Sequence, residues 1–374
     1  MSNYQYIATA SFGLEAVVKR ELEALELKIA KSEDGRITFE GDERALVKAN
    51  LWLRCADRVY LKLAEFKAET FPELIKNAES IPWEKYLEAD GRFIVTGTSV
   101  KSTLHSVPAC QSTFKKAIIN RLSKAFKTDS FKENGISYGI RFMIHKDQCL
   151  VMLDSSGEGL HKRGYRVGNV SAPIKETLAA AMVSLSFYKA GRLLVDPMCG
   201  SGTIPIEAAM MARNIAPGLS RKFDAEKWSF IPKELWQEER KAAYGAIDYN
   251  ADVRIFASDI DSRAVEAAKQ NAEQAGVDDC IQFSVKPAAR LTADEEKGIV
   301  ICNPPYGQRI GDQKAMDGIY RDLARFFKAN PSWSLFIITA DKSFEQKFGQ
   351  EAARRRKLYN GGIEACYYQY HGTK

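Results

Sequence analysis

Apolar positions along the first 60 residues switch between two periods. Residues 4–10 (Tyr-Gln-Tyr-Ile-Ala-Thr-Ala) read as a strand that Gly13 breaks. Leu14, Val17, Val18, Leu22 and Leu25 then recur at helical spacing and predict an amphipathic helix to about Leu27. A short strand is predicted over Arg36–Glu40 and a second helix over 42–54. A second unit begins near Leu61. In it, 92–98 alternates like a strand, and 111–126 predicts a helix with Phe114, Ala117, Ile118, Leu122 and Phe126 on one stripe. Strands at about 137–144 and 148–154 follow, and the polar stretch Ser155-Ser-Gly-Glu-Gly ends the unit.

From there the pattern becomes a regular alternation. A helix at 174–189 precedes the apolar strand Leu193-Leu194-Val195, and a helix at 204–213 follows it. A tryptophan-bearing insertion (216–237) comes next, then a helix ending near Asn250. A strand at 254–258, a helix at 262–275, strands at 281–285 and 298–302, a helix at 313–328, a strand at 334–339 and a hairpin-like tail complete the chain. Strands alternating with helices imply an α/β domain, a parallel sheet covered on both faces.

Composition narrows the class. The chain has 374 residues, 45% of them apolar and 27% charged, which excludes disordered and fibrous chains and suits two or three domains. No run of 18 apolar residues exists, so no membrane span is expected. Residues 1–6 lack the features of a secretory signal, and the expected location is cytoplasmic. The seven cysteines lie at least 22 residues apart, with no Cys-x-x-Cys, so neither disulfides nor a metal site is expected.

Charge is unevenly spread. Residues 91–170 hold 13 Lys and Arg against 5 Asp and Glu, more than the whole chain's excess of +6. A domain-sized basic block points to a polyanionic partner. Lys115, Lys116, Arg121 and Lys124 lie on the predicted 111–126 helix, while Lys162, Arg163 and Arg166 lie just before the α/β region. These seven are the candidate contacts to such a polyanion, RNA among them.

Three motifs sit at the ends of predicted strands. Asp196-Pro-Met-Cys-Gly-Ser-Gly-Thr203 joins a strand to a helix. Its glycines allow a sharp turn, and the helix start offers free amides to a nucleotide-type cofactor. Pro205 replaces the third glycine of a dinucleotide fingerprint, and Asp196 suits a cofactor bearing an ammonium group. Asp259 follows the next strand, where a carboxylate can accept both ribose hydroxyls. Asp261 is placed to cap the helix starting at 262. Asn303-Pro-Pro-Tyr-Gly307 follows the 298–302 strand. Successive prolines fix the backbone so that an Asn amide and a carbonyl can hold an exocyclic NH2, with Tyr306 stacked on the base.

In this order the motifs resemble class I S-adenosylmethionine-dependent amino-methyltransferases. Phe12-Gly-Leu-Glu, Leu160-His-Lys-Arg-Gly-Tyr-Arg166 and Ala172-Pro-Ile-Lys-Glu-Thr-Leu-Ala-Ala-Ala181 are further similar to THUMP-domain 23S rRNA guanine-N2 methyltransferases of the bacterial RlmL (YpsC-type) group. The resemblance implies a ferredoxin-like unit at 1–60, a THUMP RNA-binding domain at 61–160 and a Rossmann-like methyltransferase domain at 161–374. It implies S-adenosylmethionine as cofactor and 23S rRNA as partner. Thr177, Asp196, Pro197, Gly200, Ser201, Gly202, Asp259, Ile260 and Asn303 then fall on the cofactor site, and Asn303, Pro304 and Tyr306 on the catalytic loop. The family's acidic residue after the third strand, which meets the adenine amine, has no match in Val285-Lys286-Pro287-Ala288. The alternatives are the same chemistry on tRNA, a DNA adenine-N6 methyltransferase, or a non-catalytic RNA-binding protein that holds the cofactor.

Overall fold

A computed structural model describes residues 3–128, 130–167, 174–293, 295–305 and 312–373. Its N-terminal half is one seven-stranded sheet. The elements run β1 Tyr4–Ala10, α1 Glu15–Ala24, β2 Lys28–Glu33, β3 Arg36–Gly41, α2 Glu43–Trp52 and β4 Ala56–Lys67. They continue with α3 Phe71–Ser80, β5 Arg92–Val100, α4 Val107–Phe126, β6 Ser137–His145 and β7 Gln148–Asp154. The strand order is β2-β3-β1-β4-β7-β6-β5.

Strand β4 joins the two expected units. Its first half pairs with β1 (Ala10 opposite Ala56) and its second half with β7 (Lys67 opposite Gln148). The expected 60/61 division therefore falls inside a 12-residue strand, and the two units share one sheet. Strand β2 was not expected. Its sequence, KIAKSE, is largely exposed and lacks a buried alternation, so only its pairing with β3 makes it a strand.

The C-terminal half contains α5 Glu176–Leu185, β8 Leu193–Asp196, α6 Thr203–Ala212, α7 Lys233–Gly245, β9 Arg254–Asp259 and α8 Ser262–Ala275. After these come β10 Ile281–Val285, β11 Ile299–Cys302, α9 Asp312–Ala329, β12 Ser334–Thr339, α10 Phe344–Phe348, β13 Arg354–Asn360 and β14 Ile363–Tyr370. The sheet order is β10-β9-β8-β11-β12-β14-β13, with the first five strands parallel and the last two antiparallel. Strands β8 and β11 are buried at every position, as a sheet covered on both faces requires. Leu194, Ile299 and Ile301 pack into the core on the α5–α6 side, while Val195, Val300 and Cys302 join Tyr320 and Leu323 of α9.

The halves are bound together by the core and by specific contacts. Gly13 has a φ of +88°, and a Cβ there would lie 2.6 Å from the Lys357 carbonyl, so only glycine lets this turn dock on β13. The Gly13 carbonyl accepts from Arg356 at 2.7 Å, and Phe12 meets Tyr359 edge-on. Arg44 of α2 reaches Glu238 and Glu239 of α7. The 216–237 insertion is anchored by Gly218, whose amide donates to the Leu51 carbonyl. Trp228 and Trp236 are buried within that insertion.

Candidate active site

Strand order brings the three motifs together. Strand β8 lies between β9 and β11, and all three run parallel, so Asp196, Asp259 and Asn303 emerge along one edge of the sheet. From β8 the chain builds outward on one side through β9 and β10, then crosses back to β11 and β12 on the other, which opens at β8 the crevice where ligands of parallel sheets bind.

Asp196 is fully buried, and its Oδ1 accepts from the Met198 amide at 3.1 Å. Its Oδ2 has no hydrogen-bond partner among the described residues. Burial, with a smaller push from the Asp259 charge, raises its pKa to about 8. Asn303, just after β11, also buries an Oδ1 that has no hydrogen-bond partner among the described residues. An unsatisfied buried acceptor costs about 1–3 kcal/mol. Two of them on one sheet edge mark a place where a ligand supplies donors. Pro304 is buried and Pro305 exposed. Tyr306 and Gly307 lie outside the described residues.

The glycine loop is held by its neighbours. The Gly200 amide donates to Asp259 Oδ2 at 2.9 Å, and the Cys199 amide to the Ser258 carbonyl at 2.9 Å. Gly202 precedes α6 with φ +82°, and a Cβ there would sit 2.9 Å from that of Ala268. Asp261 caps α8 through the Arg263 amide, as its position predicted. Ile260, beside Asp259, is 74% exposed and offers an apolar surface at the sheet edge. A cavity of about 270 Å³ opens nearby, lined by Pro197, Ser258, Lys286, Pro287 and Leu291 among others.

Sequence reasoning missed the clamp behind this loop. Arg166 donates to Glu176 Oε1 at 2.8 Å, to Ser201 Oγ at 3.1 Å and to Thr203 Oγ1 at 3.2 Å. Asn271 of α8, fully buried, donates to the Ser201 carbonyl at 2.9 Å and accepts from the Val167 amide at 2.7 Å. Thr177 is buried at the start of α5, directly after Glu176. The expectation that Arg166 faces RNA is corrected in part: its guanidinium is engaged with Glu176, Ser201 and Thr203 behind this loop, while its side chain stays 21% exposed.

Arg163 is corrected as well. It is 3% exposed and forms a buried ion pair with Glu207 of α6 at 3.2 Å. It also donates to the Leu160 and Arg54 carbonyls, and Tyr165 donates to the same Glu207. Burial works against the Arg163 charge, but Glu207 outweighs it and holds the pKa above the ordinary value. Arg163 is an interior tie between the halves. A sign was available in the sequence: Leu160 and Tyr165 flank it, and both are buried.

The other candidate RNA contacts lie on the surface. Lys116 and Lys124 are exposed on α4. Lys115 meets Glu133 at 3.1 Å with both side chains part-exposed, and such a surface pair yields readily to a phosphate. Arg121 is gripped bidentately by Glu84, so it is less free to turn outward. Lys162 is exposed and pairs with Glu158.

Comparison with known proteins agrees with this geometry. The RMKL-like methyltransferase domain family matches residues 163–369, the RlmL ferredoxin-like domain 5–60 and the THUMP domain 68–154. The chain is 46% identical over 372 residues to YpsC of Bacillus subtilis, named as an RNA methyltransferase, covering 99% of this chain and 96% of that protein. It is 36% identical over 373 residues to the ribosomal RNA large subunit methyltransferase K/L of Psychromonas ingrahamii, covering 98% of this chain and 50% of that protein. A Listeria monocytogenes structure described as an N6-adenine-specific DNA methylase is 45% identical, with a TM-score of 0.95 over 100% of this chain and 97% of the other. SMU.472, described as a methyltransferase and solved with SAH, is 41% identical, with a TM-score of 0.94 over 100% and 99%. The unsatisfied Asp196 oxygen suits the ammonium of S-adenosylmethionine, and the Asp259 carboxylate suits its ribose, so the residues present fit that cofactor. With three matching domains, a cradle of the right chemistry and a relative of nearly equal length, the chain belongs to the RlmKL family of S-adenosylmethionine-dependent RNA methyltransferases.

Proposed function

We propose that the chain methylates the exocyclic N2 amine of a guanine in 23S rRNA. The observation that carries this reading is the Asn303 Oδ1, buried and without a hydrogen-bond partner among the described residues, on the same sheet edge as Asp196 and Asp259. The cofactor supplies an electrophilic methyl group when bound. Asp196 and Asp259 hold it by its ammonium and ribose, and Ile260 covers the adenine.

Asn303 Oδ1 accepts a hydrogen from the target amine. That lone pair is delocalised into the purine ring, and drawing on the N–H bonds pulls the nitrogen toward tetrahedral geometry. The lone pair then forms the N–C bond as the S–C bond breaks. The extra proton leaves the nitrogen for solvent afterwards, so no strong base is needed beforehand. Pro304 keeps the Asn303 backbone rigid through this change, and Tyr306 stacks on the base. In a duplex the amine is paired, so the target guanine enters unpaired or flipped out.

The RNA module and the rRNA-methylating relative at 36% identity support a ribosomal substrate. The adenine reading has one specific support, the name given to the Listeria structure, since Asn303 serves an adenine amine equally well. The test uses rRNA, tRNA and DNA from cells lacking the gene, with labelled S-adenosylmethionine and nucleoside analysis. N2-methylguanosine in 23S rRNA is expected. Label confined to tRNA, or to N6-methyladenine in DNA, overturns the assignment.

A further inference from the structure

We propose that the cavity at the junction of the two halves seats a backbone phosphate of the RNA next to the target nucleotide, an inference that rests on the RNA reading above. The cavity measures about 800 Å³, within the range that holds a nucleotide. One wall comes from the loop after β7 (Glu158 to Gly164), another from Ile174 to Glu176 at the start of α5, and the third from the insertion (Ser220 to Lys227).

Its charge is unbalanced. Lys162, Arg163, Arg166, Lys175, Arg221, Lys222 and Lys227 line it against three carboxylates, Glu158, Glu176 and Asp224. Arg163 and Arg166 are neutralised by Glu207 and Glu176. Lys162 and Lys227 have weak, exposed partners in Glu158 and Asp224.

Arg221 is the telling residue. It is 91% buried by residue surface (9% exposed) and lies over the Phe223 ring at 4.9 Å, yet it pairs with no carboxylate among the described residues. It donates to the carbonyls of Ser156, Glu158 and Gly159, and its Nε has no partner among the described residues. Burial, reinforced by Arg163, lowers its pKa to about 10. His161 is likewise depressed, by burial and then by Lys175, with further cations adding and Asp57 opposing. Buried cations are normally matched by anions. Arg221 has no such partner among the described residues, and with the exposed Lys222 and Lys227 beside it on the cavity wall a phosphate supplies the missing negative charge.

The position explains the use. Arg166 and Glu176 belong both to this wall and to the clamp on Ser201 and Thr203. A phosphate seated here lies one side chain from the cofactor loop, while the opposite wall is the end of the RNA module. Anchoring the strand at this point fixes the reach of the flanking nucleotide into the Asn303 pocket.

The test is the exposed pair Lys222→Glu and Lys227→Glu in the full chain, with wild type in parallel. RNA affinity is expected to fall more than tenfold near 0.1 M salt. The slope of log K against log salt should drop by about 1.4, or about 0.7 per lost single-strand contact. Cofactor affinity by calorimetry serves as the folding control and should stay as in wild type. Unchanged RNA affinity and slope, with wild type methylating RNA, overturns the pocket and leaves the function standing. A wild type that methylates no RNA fells the function and this inference together. Inorganic phosphate that stabilises wild type but not the variant, with RNA binding untouched, assigns the cavity to a small phosphate ligand and overturns the RNA reading.

Discussion

The Gly200 amide donates to the carboxylate of Asp259 at 2.9 Å, tying together two loops 59 residues apart. The same carboxylate accepts the Asp261 amide through its other oxygen at 3.0 Å. Two backbone donors fix the orientation of the acid and leave each oxygen a further lone pair for a ligand.

Asp259→Ala removes both the tie and the ribose acceptor. Losing hydrogen bonds to a charged group costs about 1.5–3 kcal/mol, so cofactor affinity should fall roughly 10–150-fold. Calorimetry checks it, and an unchanged affinity removes Asp259 from the cofactor site.

Asp196 carries a pH prediction. Its pKa stands at about 8 in the free protein, so it is mostly neutral at pH 6–7. Binding an ammonium favours the ionised form, which releases a proton. Affinity for S-adenosylmethionine should rise by up to about tenfold per pH unit from pH 6 to 7.5. Asp196→Asn should flatten that profile. The stability sign is opposite: a carboxyl whose folded pKa is raised binds more protons folded than unfolded. Its stabilising contribution is complete below the unfolded value near 3.8 and is lost as pH rises through about 8. Cofactor-free Asp196→Asn should therefore melt above wild type at pH 8. Equal melting points would contradict the burial account.

Arg166→Ala separates clamp from RNA contact. Cofactor affinity should fall roughly tenfold through loss of charged hydrogen bonds to Glu176, Ser201 and Thr203. The salt slope of RNA binding should not move. A slope reduced by about 0.7 with normal cofactor binding restores Arg166 as a phosphate contact.

Glu207→Gln leaves Arg163 buried without its counter-charge. Breaking such a pair typically costs about 3–5 kcal/mol, so a marked drop in the thermal midpoint is expected. Replacing both residues with apolar ones should recover much of the loss. A midpoint matching wild type for Glu207→Gln would show the pair to be energetically idle.

The catalytic half was the more legible part of the sequence. Helix 262–275 and strands 281–285 and 334–339 match their expected bounds: the amphipathic helix and the buried β12 carry their own pattern, and the mostly exposed edge strand β10 carries Ile281, Phe283 and Val285 in alternation. The motif loops were legible too, since each follows such a strand. Strand β2 was not, because an exposed edge strand is defined by its partner. Helix α4 starts four residues earlier than expected, at Val107, with Pro108 in its first turn. Arg163 and Arg166 read as a basic patch because the acids that claim them, Glu207 and Glu176, are 44 and 10 residues away. Charge along a sequence reports the sign of a side chain and not which way it turns. The cavity lined by Arg221 was equally hidden, since three separate segments build it.

Single-turnover methyl transfer by Asn303→Ala tests the central claim most directly. Wild type and variant are each mixed with excess cofactor and limiting unmodified 23S rRNA, and N2-methylguanosine is followed in time. In the proposed mechanism Asn303 Oδ1 binds the amine most strongly as it becomes tetrahedral and positive, so the loss is expected in the chemical step. By analogy with single oxyanion-hole donors, the rate should fall about 100–1,000-fold, with RNA affinity nearly intact. A near-normal rate for Asn303→Ala would contradict the account and reduce the Asn303–Pro304 loop to a structural turn.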